Sequence, residues 1–232
     1  MDYNEVAKGY EEFNDFTEWE LGYKKVLKLL GNVKNKVTLD YGAGNLKFSR
    51  VLRDKEAKCI AVEPSKEMLK ISEKYDNNNI EIYNLEDNDI SFLKSASVDI
   101  VVINFVICVI SKKEEIEHII KETYRVLKKG GLLIILDPNP KSIGGNFLSF
   151  KSEKPSLLKS GTPYKVRLKI NSEEFVNLID YYWSLDDYKN IIKIVGFKDI
   201  KIEEPIISKD NKDKEWIEEK IKAPYVIIKT FK

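Results

Sequence analysis

The sequence predicts an α/β protein with a doubly wound, mostly parallel seven-stranded sheet. Three observations support this fold class. Short apolar runs alternate with helix-like patterns between residues 36 and 137, an alternation typical of parallel strands joined by helices. The run 98–103 is almost wholly apolar, as expected of a strand that is covered on both faces. Two more strand-like runs, 197–202 and 225–231, bring the expected number of strands to seven.

The first five strands alternate with helices whose ends can be predicted from local residues. Apolar side chains between residues 46 and 52 suit one face of a short helix after the first strand. Ser65 is a suitable N-cap for the next helix. A longer helix is predicted over 112–129, and we expect Gly130 and Gly131 to end it in a left-handed cap. The predicted strands are 37–40, 59–62, 80–83, 98–103 and 132–136.

The rest of the chain is interpreted as part of the same single domain. The stretch 141–163 is rich in Gly, Ser, Lys and Pro and is predicted to be a long loop, followed by a β-hairpin. Ser184 opens the last helix with a capping box, and Gly196 ends it. The expected division of residues 1–232 is N-terminal cap helices over 1–30, the ligand-binding core over 36–137, a lid or substrate insertion over 138–183, and the last helix with two strands over 184–232.

Composition excludes several classes of function. Lys plus Arg is 39 and Asp plus Glu is 38, so the net charge of +1 gives no support for a nucleic-acid partner. The longest apolar run, 100–110, is far shorter than the ~20 residues of a membrane helix, so no membrane partner is expected. Cys59 and Cys108 form no disulfide or zinc pattern, and no metal site is predicted. We therefore expect a reducing, cytoplasmic location.

The most informative motif is a glycine-containing turn between the first strand and the first core helix. It reads D-Y-G-A-G-N-L and covers residues 40–46. Glycines allow close approach of the backbone to a ligand, and the following helix offers free amides to a carboxylate or phosphate. In a doubly wound sheet this is the crevice in which ligands bind. A tight strand-to-helix turn without a ligand remains an alternative interpretation.

Acidic residues follow the next two strands. Glu63 lies at the end of the second strand, 21 residues beyond Gly42, where a carboxylate can accept both hydroxyls of a ribose. Glu86 and Asp87 follow the third strand, where an acid can meet the amino group of an adenine. Each also has a simpler interpretation, as a solvated loop carboxylate.

Taken together, these motifs give a family resemblance. The chain resembles the class I, seven-stranded, Rossmann-like S-adenosylmethionine-dependent methyltransferases, specifically those that act on small molecules. The turn at 40–46 is similar to the family's D-x-G-x-G-x-G, with Leu46 in place of the third glycine. The segments A-V-E-P-S-K-E-M-L at 61–69, S-V-D-I-V-V at 97–102 and Y-R-V-L-K-K-G-G at 124–131 are similar to later motifs, in the same order.

The resemblance implies a cofactor, a reaction and a set of site residues. It implies binding of S-adenosyl-L-methionine, release of S-adenosyl-L-homocysteine, and transfer of the methyl group to a small-molecule acceptor. An N-terminal segment similar to Y-x-x-x-A-x-x-Y is expected to close over the cofactor. The implied cofactor-binding residues are Tyr10, Asp40, Gly42, Ala43, Gly44, Glu63, Pro64, Met68, Glu86, Asp87, Asn104 and Phe105.

No catalytic side chain is predicted, because orientation against an activated methyl group supplies most of the catalysis. His118 is expected on a solvated helix face, and Cys108 is interpreted as a packed core thiol, although it lies close to where the family's substrate meets the methyl group. Aromatic residues in the second half either line a pocket for a flat or apolar acceptor or form the core of the insertion. The candidates for the acceptor pocket are Phe147, Tyr164, Tyr182 and Trp183.

Two other functions stay open at this point. One is a non-catalytic module that binds S-adenosylmethionine or S-adenosylhomocysteine and acts through partners; Leu46 and the missing base are compatible with it. The other is a dinucleotide-dependent oxidoreductase, which ranks far lower. Its G-x-G-x-x-G motif requires a third glycine where this chain has Lys47, and Asp40 would lie awkwardly close to a pyrophosphate. The sequence does not define the oligomeric state.

Overall fold

The structure is a computed structural model that describes residues 9, 13, 15–86, 89–171 and 173–232. Its main sheet has seven strands, as predicted: β1 (Val37–Tyr41), β2 (Lys58–Glu63), β3 (Ile80–Asn84), β4 (Val98–Asn104), β5 (Leu127–Pro138), β9 (Lys198–Glu203) and β10 (Tyr225–Phe231). Their order across the sheet is β3-β2-β1-β4-β5-β10-β9. Strands β1 to β5 are parallel to one another, whereas β10 runs antiparallel to β5 and β9.

Helices cover both faces of this sheet, because successive side chains of its central strands point alternately into two apolar clusters, one on each face. In β4, Val101 and Ile103 face one cluster while Ile100 and Val102 face the other. The first cluster includes residues of α4 and α5, and the second includes residues of α1 and α2. The helices are α1 (Lys24–Leu30), α2 (Lys47–Asp54), α3 (Lys66–Ser72), α4 (Lys113–Val126) and α5 (Leu185–Val195).

Helix ends follow local chemistry in two predicted places. The Ser65 hydroxyl caps α3 by accepting a hydrogen bond from the Met68 amide at 3.2 Å. Ser184 and Asp187 form the predicted capping box of α5, and Gly196 ends that helix with a φ of 112°. A π-helical turn, Glu18–Tyr23, leads directly into α1. No helix in the described part of the chain is long and apolar enough to cross a membrane.

The prediction for Gly130 and Gly131 is wrong. Helix α4 ends at Val126, and β5 begins at Leu127, so the glycines lie within a strand. The Gly130 amide donates to the carbonyl of Lys232, and the Lys232 amide donates to the carbonyl of Gly131. The two glycines thus pair with Lys232. Gly130 has a positive φ of 74°, in the part of β5 where the pairing with β4 is irregular.

The insertion after β5 forms a second, smaller sheet. Its strands are β6 (Phe150–Ser152), β7 (Pro163–Lys169) and β8 (Phe175–Tyr181), all antiparallel, so the predicted hairpin is confirmed. The predicted loop 141–163 contains β6 and most of a short 3₁₀ turn, Pro140–Ser142. Apolar residues of this sheet join the same cluster as Leu136 and Tyr225 of the main sheet.

A buried carboxylate fixes this insertion to both ends of the chain. Glu219 lies in the connector between β9 and β10 and is fully buried. It accepts hydrogen bonds from the Thr17 hydroxyl at 3.1 Å, the Leu148 amide at 2.5 Å and the Ile217 amide at 2.8 Å. The Thr17 amide in turn donates to the Ser149 hydroxyl at 2.8 Å. Three distant segments therefore share one polar contact inside the protein.

Replacing Glu219 tests how much this contact stabilises the fold. Glu219→Ala leaves two backbone amides and a hydroxyl without their acceptor, so we expect the free energy of unfolding to fall by about 2–3 kcal/mol. Urea unfolding measures this loss. Glu215→Ala removes the same charge from an exposed position of the same connector and should change stability by no more than ~0.5 kcal/mol. Equal losses in the two variants would contradict the assignment.

Candidate functional site

The carboxyl ends of β1, β2 and β4 open into a cavity of about 340 Å³, the larger of two adjoining cavities. Such a volume lies within the range of ordinary small-molecule sites. Its wall includes Gly42, Gly44, Glu63, Met68 and Asn104. Strand β1 lies between β2 and β4. The strand order therefore reverses at β1, with β2 and β3 toward one edge of the sheet and β4 and β5 toward the other. Ligands of doubly wound sheets bind in that crevice.

The glycine turn has the backbone conformation that its residue types suggest. Gly42 and Gly44 have φ values of 72° and 55°. The amides of Gly42 and Ala43 both donate to the Val62 carbonyl, at 2.9 and 3.0 Å, which fixes the turn against β2. A Cβ atom at Gly42 would collide with Val106, so the packing of the chain itself requires a glycine at this position.

Leu46 has the left-handed conformation although it is not a glycine. Its φ is 64°, and its side chain is fully buried at the start of α2. This conformation costs a leucine roughly 1–2 kcal/mol. Burial of a leucine side chain contributes a similar amount, about 1.5–3 kcal/mol. Leu46, in place of the third glycine of the motif, therefore preserves the left-handed backbone conformation of the turn.

Glu63 joins the turn to the next helix. Its Oε2 accepts from the Gly44 amide and its Oε1 from the Ser65 amide, both at 2.8 Å. Burial raises the pKa of Glu63 and outweighs these two hydrogen bonds, which lower it. Each carboxylate oxygen has a second lone pair, so the pair of oxygens can still accept two neighbouring hydroxyls. This geometry suits a ribose.

Asp40 lies at the base of the cavity and is almost completely buried. The Ser49 hydroxyl donates to its Oδ2 at 2.6 Å. Burial, and to a lesser degree the charge of Glu63, raise the pKa of Asp40 to about 7. A cationic group in the cavity would favour the ionised form, because opposite charges attract strongly where water is excluded.

Asn104 presents the clearest sign of a polar ligand. It lies at the end of β4 and is 7% exposed, and neither its amide nitrogen nor its oxygen has a hydrogen-bond partner among the described residues. Buried amides are nearly always paired, because an unpaired group loses its hydration without compensation. Asn104 belongs to the wall of the larger cavity, so a polar ligand there can supply the partners.

A smaller cavity of about 50 Å³ adjoins the larger one. The two share Phe13, Glu18 and Phe105 in their walls. Phe105 has a φ of 57° and packs edge-on against Tyr225, with 5.2 Å between the ring centroids. The smaller cavity extends between the end of β5 and the second sheet, and the aromatic rings leave it narrow.

The structure brings most of the predicted cofactor residues together. Glu86 is exposed and belongs to neither cavity wall, because β3 lies at the edge of the sheet. Tyr10 and Asp87 lie outside the described residues. The predicted residues that line the larger cavity are Asp40, Gly42, Ala43, Gly44, Glu63, Pro64, Met68, Asn104 and Phe105.

The predicted acceptor residues divide differently. Tyr164 lines the smaller cavity, whereas Phe147, Tyr182 and Trp183 line neither of these two cavities. Phe147 is fully buried against Phe150, and the Trp183 indole donates to the Ile110 carbonyl at 2.9 Å, so both are core residues. Most of this aromatic group thus follows the second of the two interpretations, as core of the insertion.

Glu18 and Asp180 are among the site residues that the sequence analysis missed. Glu18 lines both cavities, and Asp180 lines the smaller one. A signal for Asp180 exists, since Val176, Leu178 and Asp180 are the buried alternate positions of β8, and an acid at such a position is unusual. The sequence around Glu18 carries no comparable signal.

Comparisons with known proteins find similarity to methyltransferases. Residues 39–135 match the family model described as "Methyltransferase domain". The chain is 24% identical over 209 residues to N-demethylindolmycin N-methyltransferase of Streptomyces griseus, covering 86% of this chain and 88% of that protein. An uncharacterized protein of Methanocaldococcus jannaschii is 27% identical over 94% of this chain and 91% of its own length.

Solved structures share the whole fold. An S-adenosylmethionine-dependent methyltransferase from Mesorhizobium loti superposes with a TM-score of 0.68 at 14% sequence identity. The alignment covers 93% of this chain and 98% of that one. At this level of identity the likeness shows the fold alone, and it includes the region outside residues 39–135.

The raised pKa of Asp40 predicts a specific dependence of stability on pH. Its pKa is about 7 in the folded protein against an ordinary value of 3.8. Between these values the folded state binds more protons than the unfolded chain, so Asp40 lowers stability as the pH rises. In Asp40→Asn, we expect a smaller loss of unfolding free energy between about pH 4.5 and pH 8 than in the original protein.

Urea unfolding without cofactor at the two pH values measures the effect. Asp54→Asn serves as the control, because Asp54 is exposed at the end of α2 and its replacement should leave the difference unchanged. An equal pH dependence in Asp40→Asn and the original protein would show that Asp40 is ionised in the folded state at both pH values.

Proposed function

We propose that the chain is a class I S-adenosylmethionine-dependent methyltransferase and that it methylates a small molecule bound in the smaller cavity. The observation that supports this most is the junction of the two cavities at Phe13, Glu18 and Phe105. A methyl donor in one cavity and an acceptor in the other would meet there. Holding two reactants in this way can supply on the order of 7–11 kcal/mol of the catalytic effect.

We propose that the residues of the larger cavity hold the cofactor by matching its groups. Glu63 accepts the ribose hydroxyls, and the turn at Gly42 and Gly44 allows close approach of the backbone. Asp40 and the unpaired amide of Asn104 suit a charged amino acid end. When bound, S-adenosylmethionine supplies a methyl group activated by its positive sulfonium; the protein orients and encloses it.

The proposal of a small acceptor has two supports. The smaller cavity is narrow, about 50 Å³, and apolar and aromatic side chains form most of its wall. The relative from Streptomyces griseus is named for an indolmycin derivative, which is a small molecule. The net charge of +1 gives no basis for a nucleic-acid acceptor.

A cytosolic location is proposed on the two free, buried cysteines, which fit a reducing compartment.

Glu63→Ala tests the placement of the cofactor. Loss of the carboxylate removes hydrogen bonds to the ribose, so we expect S-adenosylmethionine to bind more weakly by roughly 1.5–3 kcal/mol. Isothermal calorimetry with S-adenosylmethionine and S-adenosylhomocysteine measures the change. Glu67→Ala, at an exposed position of α3, is the matched control and should bind normally. Unchanged affinity in Glu63→Ala would remove this residue from the site.

Asn104→Ala separates a binding role from a structural one. The amide has no partner among the described residues, so its removal should leave the unfolding free energy without cofactor unchanged or higher. Affinity for S-adenosylmethionine should nevertheless fall by about 1–2 kcal/mol. Calorimetry and urea unfolding on the same variant give both numbers. Loss of stability with normal affinity would assign Asn104 to the fold instead.

A further inference from the structure

The smaller cavity has an unusual balance of charge. Two carboxyl groups, those of Glu18 and Asp180, belong to its wall. Among the described residues that line it there is no lysine, arginine or histidine. The remaining wall is largely apolar, with aromatic rings from Phe105, Tyr164 and Tyr225 among others. A ligand of this cavity thus meets acids and ring faces without any cation supplied by the chain.

Asp180 is held in a buried polar group. It is 4% exposed, and its side chain shares a hydrogen bond with Tyr164. Burial first, and then the nearby charge of Asp137, raise its pKa to about 8. Asp137 is itself fully buried at the end of β5. Two acids thus lie close together in a site that excludes water and offers no compensating cation.

Asp137 adds a second, independent sign of a missing partner. Its Oδ2 accepts a hydrogen bond from the Tyr188 hydroxyl at 3.1 Å, and its carboxyl group is also hydrogen-bonded to Cys108, a residue of the cavity wall. Its Oδ1 has no partner among the described residues although the residue is completely buried. Such a group is costly unless a ligand or its charge compensates it.

Glu18 has a different position, at the junction. It is half-buried, and it is the carboxyl group that the walls of both cavities share. Burial raises its pKa to about 7, while a hydrogen bond from Tyr23 lowers it. A carboxyl group that titrates near neutral pH can accept a proton and return it to water. Its place is where a methyl group would pass from one cavity to the other.

We propose that the methyl acceptor is a small amine, held by the acidic and aromatic wall of the smaller cavity, and that Glu18 receives its proton. The proposal rests on the function proposed above. The buried carboxyl groups favour an ammonium or amine nitrogen, and the ring faces attract a cation. An alcohol brings no charge to these acids, and a carboxylate would add to their repulsion.

The reaction balances without a further reagent. The ammonium bound in the cavity first gives one proton to the Glu18 carboxylate, and from there to solvent, which frees the lone pair of the nitrogen. That lone pair forms the new nitrogen–carbon bond, while the carbon–sulfur bond of the donor breaks and its electrons stay on sulfur. The methylated product leaves as an ammonium, so one proton is released in each turnover.

Binding of matched probes tests the class of acceptor. Protein saturated with S-adenosylhomocysteine is titrated with benzylamine, benzyl alcohol and benzoate, which share one ring and differ in the reactive group. We expect benzylamine to bind at least tenfold more tightly than the alcohol, and benzoate to bind least. Asp180→Asn should reduce this preference at least fivefold while affinity for S-adenosylhomocysteine stays unchanged. Equal binding of amine and alcohol overturns the proposal.

Turnover tests the role of Glu18. Formation of S-adenosylhomocysteine is followed with a panel of small primary and secondary amines and with their alcohol and carboxylate counterparts. For the amine that reacts fastest, Glu18→Gln should lower kcat at least tenfold and remove the rise of the rate with pH near 7. Glu20→Gln, on the same helical turn and paired with Lys24, is the control and should keep both.

The outcomes separate this inference from the proposed function. Failure to bind S-adenosylmethionine or S-adenosylhomocysteine overturns the proposed function itself. If the cofactor binds but no amine is methylated, whether or not alcohols or carboxylates react, only the present inference is overturned. Amine turnover with an unchanged pH profile in Glu18→Gln overturns the role of Glu18.

Discussion

The contact on which the site depends is the Glu63 carboxylate between two backbone amides. One oxygen binds the Gly44 amide in the turn after β1, and the other binds the Ser65 amide at the start of α3. Without this acceptor, the half-buried Gly44 amide and the buried Ser65 amide would lose their partner, and an unpaired buried donor costs about 1–3 kcal/mol. The carboxylate therefore sets the distance between the turn and the next helix, and the larger cavity lies between these two elements.

Much of the fold could be predicted because its signals are local. Apolar runs, the Ser65 cap and the capping box at Ser184 are each specified by residues close in sequence, and the structure keeps them. Gly130 and Gly131 were misread because their partner is Lys232, at the far end of the chain. The aromatic residues of the insertion posed the same difficulty, since only three-dimensional packing separates the core ring of Phe147 from the cavity ring of Tyr164.

The two cavities differ in charge, and this difference suits two kinds of ligand. The larger one is lined by Asp40 and Glu63 but also by Lys47 and Arg50, so it offers partners of both signs. Burial lowers the pKa of Lys47 to about 8, and its ammonium group pairs with Asp15 at the same wall. A ligand that carries both an ammonium and a carboxylate is matched there. Among the described residues that line the smaller cavity, the groups that titrate near neutral pH are all acids. This cavity is therefore matched to a cation.

The walls of the two cavities come largely from different parts of the chain. The residues that match the methyltransferase domain, 39–135, contain the glycine turn, Glu63 and Asn104, which is nearly the whole of the proposed cofactor contact. The acids of the smaller cavity lie outside this range, Glu18 before it and Asp180 in the second sheet. Glu219 ties the insertion to segments near both ends of the chain, and these segments also lie outside the matched range. The acids of the proposed acceptor site therefore come from elements that the family match leaves out.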